Sequence, residues 1–247
     1  MKFNSIVAFG DSWIYGDELL DPVLAAKEFD AHCSWAQNSD YRESHCFVGL
    51  LGRHYGVPVE NFGIPGGSLQ STIWTFLWWL QNREQHQDSL VLIGLTDSDR
   101  FSHYNPEHRR VLNDPPWNKF VHSTWVENDN GPAPGHFRTM CKQQMAYSVC
   151  PELSHYNHLQ AALLFDGVSA RNSIPLLQFH VAQPQSIPPV PTPTLIWPDQ
   201  NFCRYFLNRP DNQDRRYYKS GGHPNEKGHE IIRDRLIAEI DCVILGE

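Results

Sequence analysis

The chain has 247 residues, of which 40% are hydrophobic, and this length and composition predict one folded α/β domain with a large core. The formal net charge of −8 argues against nucleic acid or another polyanion as the main partner. No run of residues approaches the roughly 18 uninterrupted apolar residues of a membrane span, and nothing resembles a signal peptide. We therefore expect a cytoplasmic protein with no membrane partner.

Apolar runs typical of buried strands alternate along the chain with segments of helical periodicity. Strands are predicted at 6–9, 57–61, 90–93 and 174–181, and helices around 47–54, 69–80, 159–168 and 232–240. This alternation predicts a parallel sheet that helices cover on both faces. Two segments, at about 101–150 and 184–220, do not fit it. We interpret them as long loop insertions in a single domain that spans 1–247.

A serine and a histidine stand at opposite ends of this pattern. Gly10-Asp11-Ser12 follows the first predicted strand, and a segment that begins at His223 and ends at His229 opens the last predicted helix. A serine hydroxyl is a poor nucleophile at neutral pH and needs a base, which is most often an imidazole. The spacing therefore indicates a serine hydrolase. The alternative interpretation is a plain strand-to-helix turn in which Ser12 caps the helix.

Two further turns carry glycine or polar residues at the end of a predicted strand. A glycine-rich turn at 61–68 follows the second strand, and a glycine there can bring a backbone N–H close to a ligand. A polar segment at 94–100 follows the third strand. Ligands bind at the carboxyl edge of open parallel sheets, so we expect these turns to meet the serine there.

In these four segments the sequence resembles the SGNH/GDSL hydrolase superfamily over nearly the whole chain. The resemblance implies a three-layer α/β/α sandwich with a flavodoxin-like parallel sheet. It also implies hydrolysis of esters or thioesters without a metal or an organic cofactor. By this resemblance Ser12 is the nucleophile and His223 the base, and the oxyanion hole includes the backbone N–H groups of Ser12 and Gly66.

Two positions depart from the family pattern. Thr96 stands where the family has an asparagine that binds the oxyanion. The hydroxyl of Thr96 can donate one hydrogen bond in that place. Losing an oxyanion donor raises the activation free energy by about 3–4 kcal/mol. Ser220 stands where the family usually has the aspartate that orients the base. A main-chain carbonyl, the Ser220 hydroxyl or Asp214 could orient it instead, or a Ser–His dyad could act alone. Asp17 and Glu18 could support the active-site loop or face solvent.

Trp13 and Arg100 are candidate substrate-binding residues. Trp13 directly follows the predicted nucleophile. Arg100 lies just past the third strand, where a guanidinium could bind a carboxylate or phosphate of the substrate. It could equally pair with Asp97 or Asp99.

The predicted loops contain Trp117, Trp125 and Trp197, whose flat apolar faces suit a sugar or acyl group. We therefore expect a small-molecule or glycan ester as substrate, in particular an O-acetyl group of a carbohydrate. A short-chain acyl ester, a thioester or a lipase-like substrate is the first alternative. A non-catalytic glycan-binding or structural protein that retains the fold is the second. The sequence leaves the oligomeric state open.

No metal site is predicted. The six cysteines form no CxxC pair and no Cys/His zinc spacing, and the 13 histidines include no HExxH motif. The cysteines are expected to be free thiols.

Overall fold

The computed structural model describes residues 3–26, 38–83, 86–97, 100, 102–104, 120–122, 139, 151–181, 192–197, 200–209, 216–219 and 222–246. In chain order its elements are β1 (Ser5–Gly10), α1 (Ser12–Tyr15), α2 (Pro22–Ala25), α3 (Ser39–His45), α4 (Phe47–Tyr55), β2 (Val59–Gly63), α5 (Leu69–Asn82), β3 (Ser89–Leu95), β4 (Ser102–Tyr104), β5 (Phe120–His122), α6 (Pro151–Arg171), β6 (Leu176–His180), α7 (Phe202–Leu207), α8 (Glu226–Glu239) and a π-helical segment (Ile240–Leu245).

Four strands form one parallel sheet in the order β2–β1–β3–β6. Parallel neighbours cannot be joined by a tight hairpin, and each connection in this sheet contains at least one helix. The strands β4 and β5 pair separately and antiparallel. The prediction of an α/β fold built on a parallel sheet is confirmed.

Side chains alternate between two hydrophobic clusters, one on each face of the sheet. On β1, Ile6 and Ala8 belong to one cluster, whereas Val7 and Phe9 belong to the other. The first cluster also contains residues of α4 and α8, and the second contains residues of α5 and α6. Because helices cover both faces, β3 is buried along its whole length, which explains its unbroken apolar sequence.

The structure contains all eight predicted elements, and several of them have shifted ends; for example, the strand predicted at 174–181 is Leu176–His180 and the last helix begins already at Glu226. The strand predicted at 57–61 begins only at Val59. The helix predicted at 159–168 extends over Pro151–Arg171. Proline is well tolerated in the first turn of a helix, and the polar residues that follow it show no apolar period from which the early start could be predicted.

The segment predicted as a loop insertion at 184–220 contains the helix α7, whose Phe202 and Phe206 are buried in the core. The other predicted insertion, at 101–150, lies almost entirely outside the described residues. In the described part of the chain, no helix has the length and apolar character that crossing a membrane requires.

Candidate active site

The short helix α1 carries Ser12 directly after β1. Asp11 caps this helix, because its Oδ1 accepts a hydrogen bond of 3.0 Å from the backbone N–H of Trp13. At the other end, Gly16 adopts a left-handed conformation with φ 80° and closes the single turn. Ser12 is thus held in a turn whose two ends are both fixed.

Two glycines allow α1 to lie against the carboxyl edge of the sheet. A Cβ atom at Gly63, the last residue of β2, would overlap the backbone nitrogen of Tyr15. A Cβ atom at Gly94 in β3 would lie 2.6 Å from Cδ1 of Ile14. A side chain at Gly63 would therefore displace the backbone of the helix that carries Ser12, whereas one at Gly94 would displace the side chain of Ile14.

The predicted nucleophile and base are in direct contact. The Oγ of Ser12 lies 2.9 Å from Nε2 of His223, although 211 positions separate the two residues. His223 precedes α8, whose first turn is capped by Asn225, with Oδ1 accepting from the N–H of Gly228 at 2.9 Å. The Ser12 side chain is buried, so it contacts the imidazole with little competition from solvent.

The second ring nitrogen of His223 faces Glu18. Nδ1 lies 2.8 Å from Oε2 of Glu18, and the backbone N–H of His223 donates to the same oxygen at 3.2 Å. An ionised carboxylate can only accept, so Nδ1 carries the proton and Nε2 can accept from the Ser12 hydroxyl. Asp17 is more distant, with Oδ2 3.9 Å from Nε2.

The contact between Glu18 and the ring of His223 was not predicted from the sequence. Of the three groups predicted to orient the histidine, Ser220 and Asp214 lie outside the described residues, and the third, a main-chain carbonyl, is not the group found at Nδ1. The available signal was the acidic pair Asp17 and Glu18 just after the nucleophile helix, in a chain that lacks the usual aspartate.

Gly66 lies in a tight turn beside the end of β1. The N–H of Gly67 donates to the carbonyl of Ile64 at 2.8 Å, and Gly66 has φ 71° after Pro65, a pattern typical of a type II turn. The N–H of Ile64 donates to the carbonyl of Gly10 at 2.9 Å, which attaches the turn to the strand that leads to Ser12. The role of the Gly66 N–H in an oxyanion hole stays a prediction.

Thr96 and Arg100 both bind the buried carboxylate of Asp11. The Thr96 hydroxyl donates to Oδ2 of Asp11 at 2.6 Å, and Nη1 of Arg100 donates to the same oxygen at 3.2 Å. A hydroxyl has one proton, so in this arrangement Thr96 has none left for an oxyanion, and its predicted role there stays a prediction. The expected acidic partners of Arg100 were Asp97 or Asp99; the ion pair in the structure is with Asp11, and Asp99 lies outside the described residues.

The Trp13 side chain points into the core. It is 7% exposed and packs against Phe206 and Tyr218, with ring centroids 6.2 and 6.1 Å away. This packing favours a structural role, and the predicted contact of Trp13 with substrate stays a prediction.

The loop tryptophans give little support for a binding surface. Trp117 and Trp125 lie outside the described residues. Trp197 is engaged within the protein, since its ring stacks under the guanidinium of Arg235 at 4.0 Å and its indole N–H donates to Glu239 at 2.7 Å.

A cavity of about 420 Å³ lies between α5 and α6 and reaches Arg100. Its wall combines the ring of Trp74 with the amide side chains of Gln70, Asn157 and Gln160. Arg100 also binds Asp11, the residue before Ser12, and is the residue that the cavity shares with this cluster; among the described residues, Ser12 and His223 do not line the cavity. An aromatic face with several amides is suited to a polar, hydroxyl-rich group.

His229, the second histidine of the last motif, has a structural role. Burial, with the nearby charges of His223 and Lys219, lowers the pKa of His229 to about 3. The neutral ring accepts a hydrogen bond at Nδ1 from the N–H of Phe47 at 3.2 Å, which satisfies a free donor at the start of α4.

Within the described ranges, no three or more His, Cys, Asp or Glu side chains are grouped so that they could hold a metal ion. Cys46, Cys203 and Cys242 are free thiols. Burial and the charge of Asp11 raise the pKa of Cys203 to about 12, so this thiol stays protonated and unreactive.

Comparison by sequence finds no protein-family model and no curated protein that matches this chain. Solved structures do match it. The psychrotrophic esterase EstA from Pseudoalteromonas sp. is 14% identical, with 98% of each chain covered and a TM-score of 0.50. A lipolytic protein of the G-D-S-L family from Veillonella parvula is 11% identical, with 95% of this chain and 96% of that chain covered and a TM-score of 0.49.

The chain shares the fold of EstA, with helices on both faces of a parallel sheet. LAE5, an α/β hydrolase enzyme from the metagenome of Lake Arreo, Spain, is similar over the same length, with 14% identity, 98% of each chain covered and a TM-score of 0.49. The resemblance predicted from the four motifs is confirmed for the fold.

Proposed function

We propose that the protein is a serine ester hydrolase in which Ser12 forms an acyl-enzyme and His223 is the general base. The observation that carries this proposal is the 2.9 Å contact between Oγ of Ser12 and Nε2 of His223. A hydrogen bond of this kind is what a serine needs to become a nucleophile at neutral pH. A turn kept only for its shape would not need an imidazole from the far end of the chain.

The proposed reaction has two halves. Ser12 Oγ attacks the ester carbonyl while Nε2 of His223 takes the hydroxyl proton, and the imidazole then gives that proton to the departing alcohol. A water molecule, deprotonated by the same nitrogen, then attacks the acyl carbonyl; the imidazole returns this proton to Oγ of Ser12 as the bond to the acyl group breaks and the carboxylic acid leaves. The backbone N–H groups of Ser12 and Gly66 are proposed to bind the oxyanion, and Thr96 becomes a third donor when its hydroxyl rotates from Asp11 towards the oxyanion.

The proposed substrate is a small acyl ester, with an O-acetyl group on a carbohydrate as the first choice. The cavity beside Arg100 supports this choice, because Trp74 could cover a sugar face while the amides of Gln70, Asn157 and Gln160 bind hydroxyl groups. A short-chain acyl ester, a thioester or a lipid ester with a polar alcohol is the alternative.

Labelling with a serine-directed phosphonate tests the nucleophile. We expect one covalent adduct on Ser12, found by mass spectrometry of the intact protein and its peptides. Ser12→Ala should give no adduct, and His223→Ala should react far more slowly, because its serine lacks a base. A protein whose serine stays inert while it binds glycans tightly would instead be a non-catalytic binding protein.

A panel of esters tests the substrate. Acetylated sugars, short-chain p-nitrophenyl esters, thioesters and long-chain lipid esters would be compared by kcat/KM in the wild type and in Ser12→Ala. We expect the highest kcat/KM on the acetylated sugars and none above background in the variant. Gln160→Ala should raise KM for the sugar ester and leave that for the p-nitrophenyl ester unchanged.

A further inference from the structure

Glu18 adopts a backbone conformation that an unconstrained glutamate rarely takes. It is the third residue of a turn in which the N–H of Leu19 donates to the carbonyl of Gly16 at 3.3 Å, and its φ is 64°. This left-handed region is usual for glycine or asparagine and costs another residue about 1–2 kcal/mol. Glycine would avoid this cost, so the presence of glutamate calls for a reason in its side chain.

The carboxylate of Glu18 holds His223 at two atoms. Oε2 accepts from both the backbone N–H and the ring Nδ1–H of His223. The Glu18 side chain is 13% exposed, so water competes little for these hydrogen bonds. One oxygen thus fixes where the histidine lies and which ring nitrogen carries the proton.

We propose that Glu18 is the positioning residue of His223 and takes over the role for which the family uses an acid just before the histidine. This inference rests on the proposed function. In this chain the acid has moved from the loop of the base to the loop of the nucleophile. Ser12 and Glu18 then lie on either side of the imidazole, although both come from the same short segment.

Among the described residues, the other charged groups near His223 cannot orient its ring in the same way. Asp17 faces Nε2 at 3.9 Å, the nitrogen that must accept the serine proton, and its own Oδ1 accepts from the N–H of Glu18 at 3.2 Å. His229 and Lys219 also lie within range of electrostatic interaction. Neither residue can replace Glu18 as the acceptor of the hydrogen bond from Nδ1–H. The acceptor nitrogen of His229 is occupied by the N–H of Phe47, and the ammonium group of Lys219 can only donate.

Glu18→Gln tests the proposal, because it keeps the shape of the side chain and removes its charge. We expect kcat to fall on the order of a hundredfold or more with little change in KM, since the imidazolium formed in the transition state loses its counter-charge. The acid limb of the kcat/KM profile should also move to lower pH, because the carboxylate no longer favours the protonated ring. A purely structural role would not move this limb.

Glu226→Gln is the matched control. Glu226 lies three residues after His223, and its replacement by glutamine removes the same charge. Its hydrogen-bond partners, however, are Lys219 and Tyr41. This variant should keep the wild-type pH profile. Proton NMR of the wild type adds a measurement that needs no Glu18 variant to fold: the Nδ1–H of His223 should give a strongly downfield resonance that His223→Ala abolishes.

Two results would overturn the inference while leaving the proposed function intact. One is a Glu18→Gln enzyme with kcat within about threefold of the wild type and an unmoved acid limb, in a protein that Ser12→Ala inactivates. The other is the absence of the downfield resonance. Full activity in Ser12→Ala would overturn the proposed function itself.

Discussion

At the scale of single residues, Asp11 connects Ser12 to the rest of the site. Its buried carboxylate accepts from the N–H of Trp13, the hydroxyl of Thr96 and the guanidinium of Arg100. The first bond shapes the turn that presents Ser12, and the other two attach this turn to the end of β3. Thr96 is therefore part of the scaffold of the site, whatever it does for the oxyanion.

Thr96→Val removes the hydroxyl and keeps the shape of the side chain. We expect the free energy of unfolding to fall by about 1–3 kcal/mol, because the buried Asp11 loses its closest donor. We also expect kcat to fall by about tenfold to several hundredfold with a smaller change in KM, as for a lost oxyanion donor. Urea unfolding and steady-state kinetics measure the two effects.

Thr96→Ser is the control, since it keeps the hydroxyl and should keep most of both properties. If Thr96→Val loses stability but keeps kcat, the hydroxyl serves Asp11 alone. The oxyanion hole would then consist of backbone N–H groups, or would include a different side chain.

At the scale of elements, the position of α1 depends on the absence of side chains beneath it. Gly63→Ala should force the backbone of Tyr15 away from β2. We expect kcat to fall by at least about tenfold, because misplacing reacting groups by 1 Å can cost a hundredfold. The overlap should also lower the free energy of unfolding by about 1–3 kcal/mol.

Gly167→Ala provides the comparison, because among the described residues no atom beyond the neighbouring backbone of α6 lies within 4 Å of a Cβ at this position. It should leave kcat unchanged and raise the free energy of unfolding by up to about 1 kcal/mol, the usual gain for alanine over glycine in a helix. Equal kcat in the two variants would show that α1 tolerates displacement and that the close approach has no catalytic role.

The elements also show what could be predicted from the sequence. The apolar residues of β3 and the periodic positions of α5 signal burial locally, so both elements appear where they were expected. Ser12 and His223 could be paired in advance because each lies in a recognisable local motif. Glu18 could not, since its partner is 205 positions away and the contact depends on a left-handed backbone that the sequence disfavours.

At the scale of the whole molecule, two buried histidines make the fold sensitive to acid. Burial, with the neighbouring His158, lowers the pKa of His180 to about 3. Burial, with the charges of His223 and Lys219, lowers the pKa of His229 to the same value. Both rings must stay neutral in the folded protein, whereas in the unfolded chain they take up protons near the ordinary histidine pKa of about 6.5.

The unfolded chain therefore binds more protons than the folded protein between about pH 6.5 and pH 3, so stability is full above this range and falls as the pH decreases through it. Each histidine should contribute up to about 1.4 kcal/mol per pH unit.

His229→Gln removes one such group, while its amide oxygen can still accept from the N–H of Phe47. Urea unfolding between pH 4 and pH 6 should show a slope smaller by up to about 1.4 kcal/mol per pH unit in the variant. The carboxylates titrate alike in both proteins and cancel in this difference, so parallel curves would mean that His229 is not held neutral by the fold.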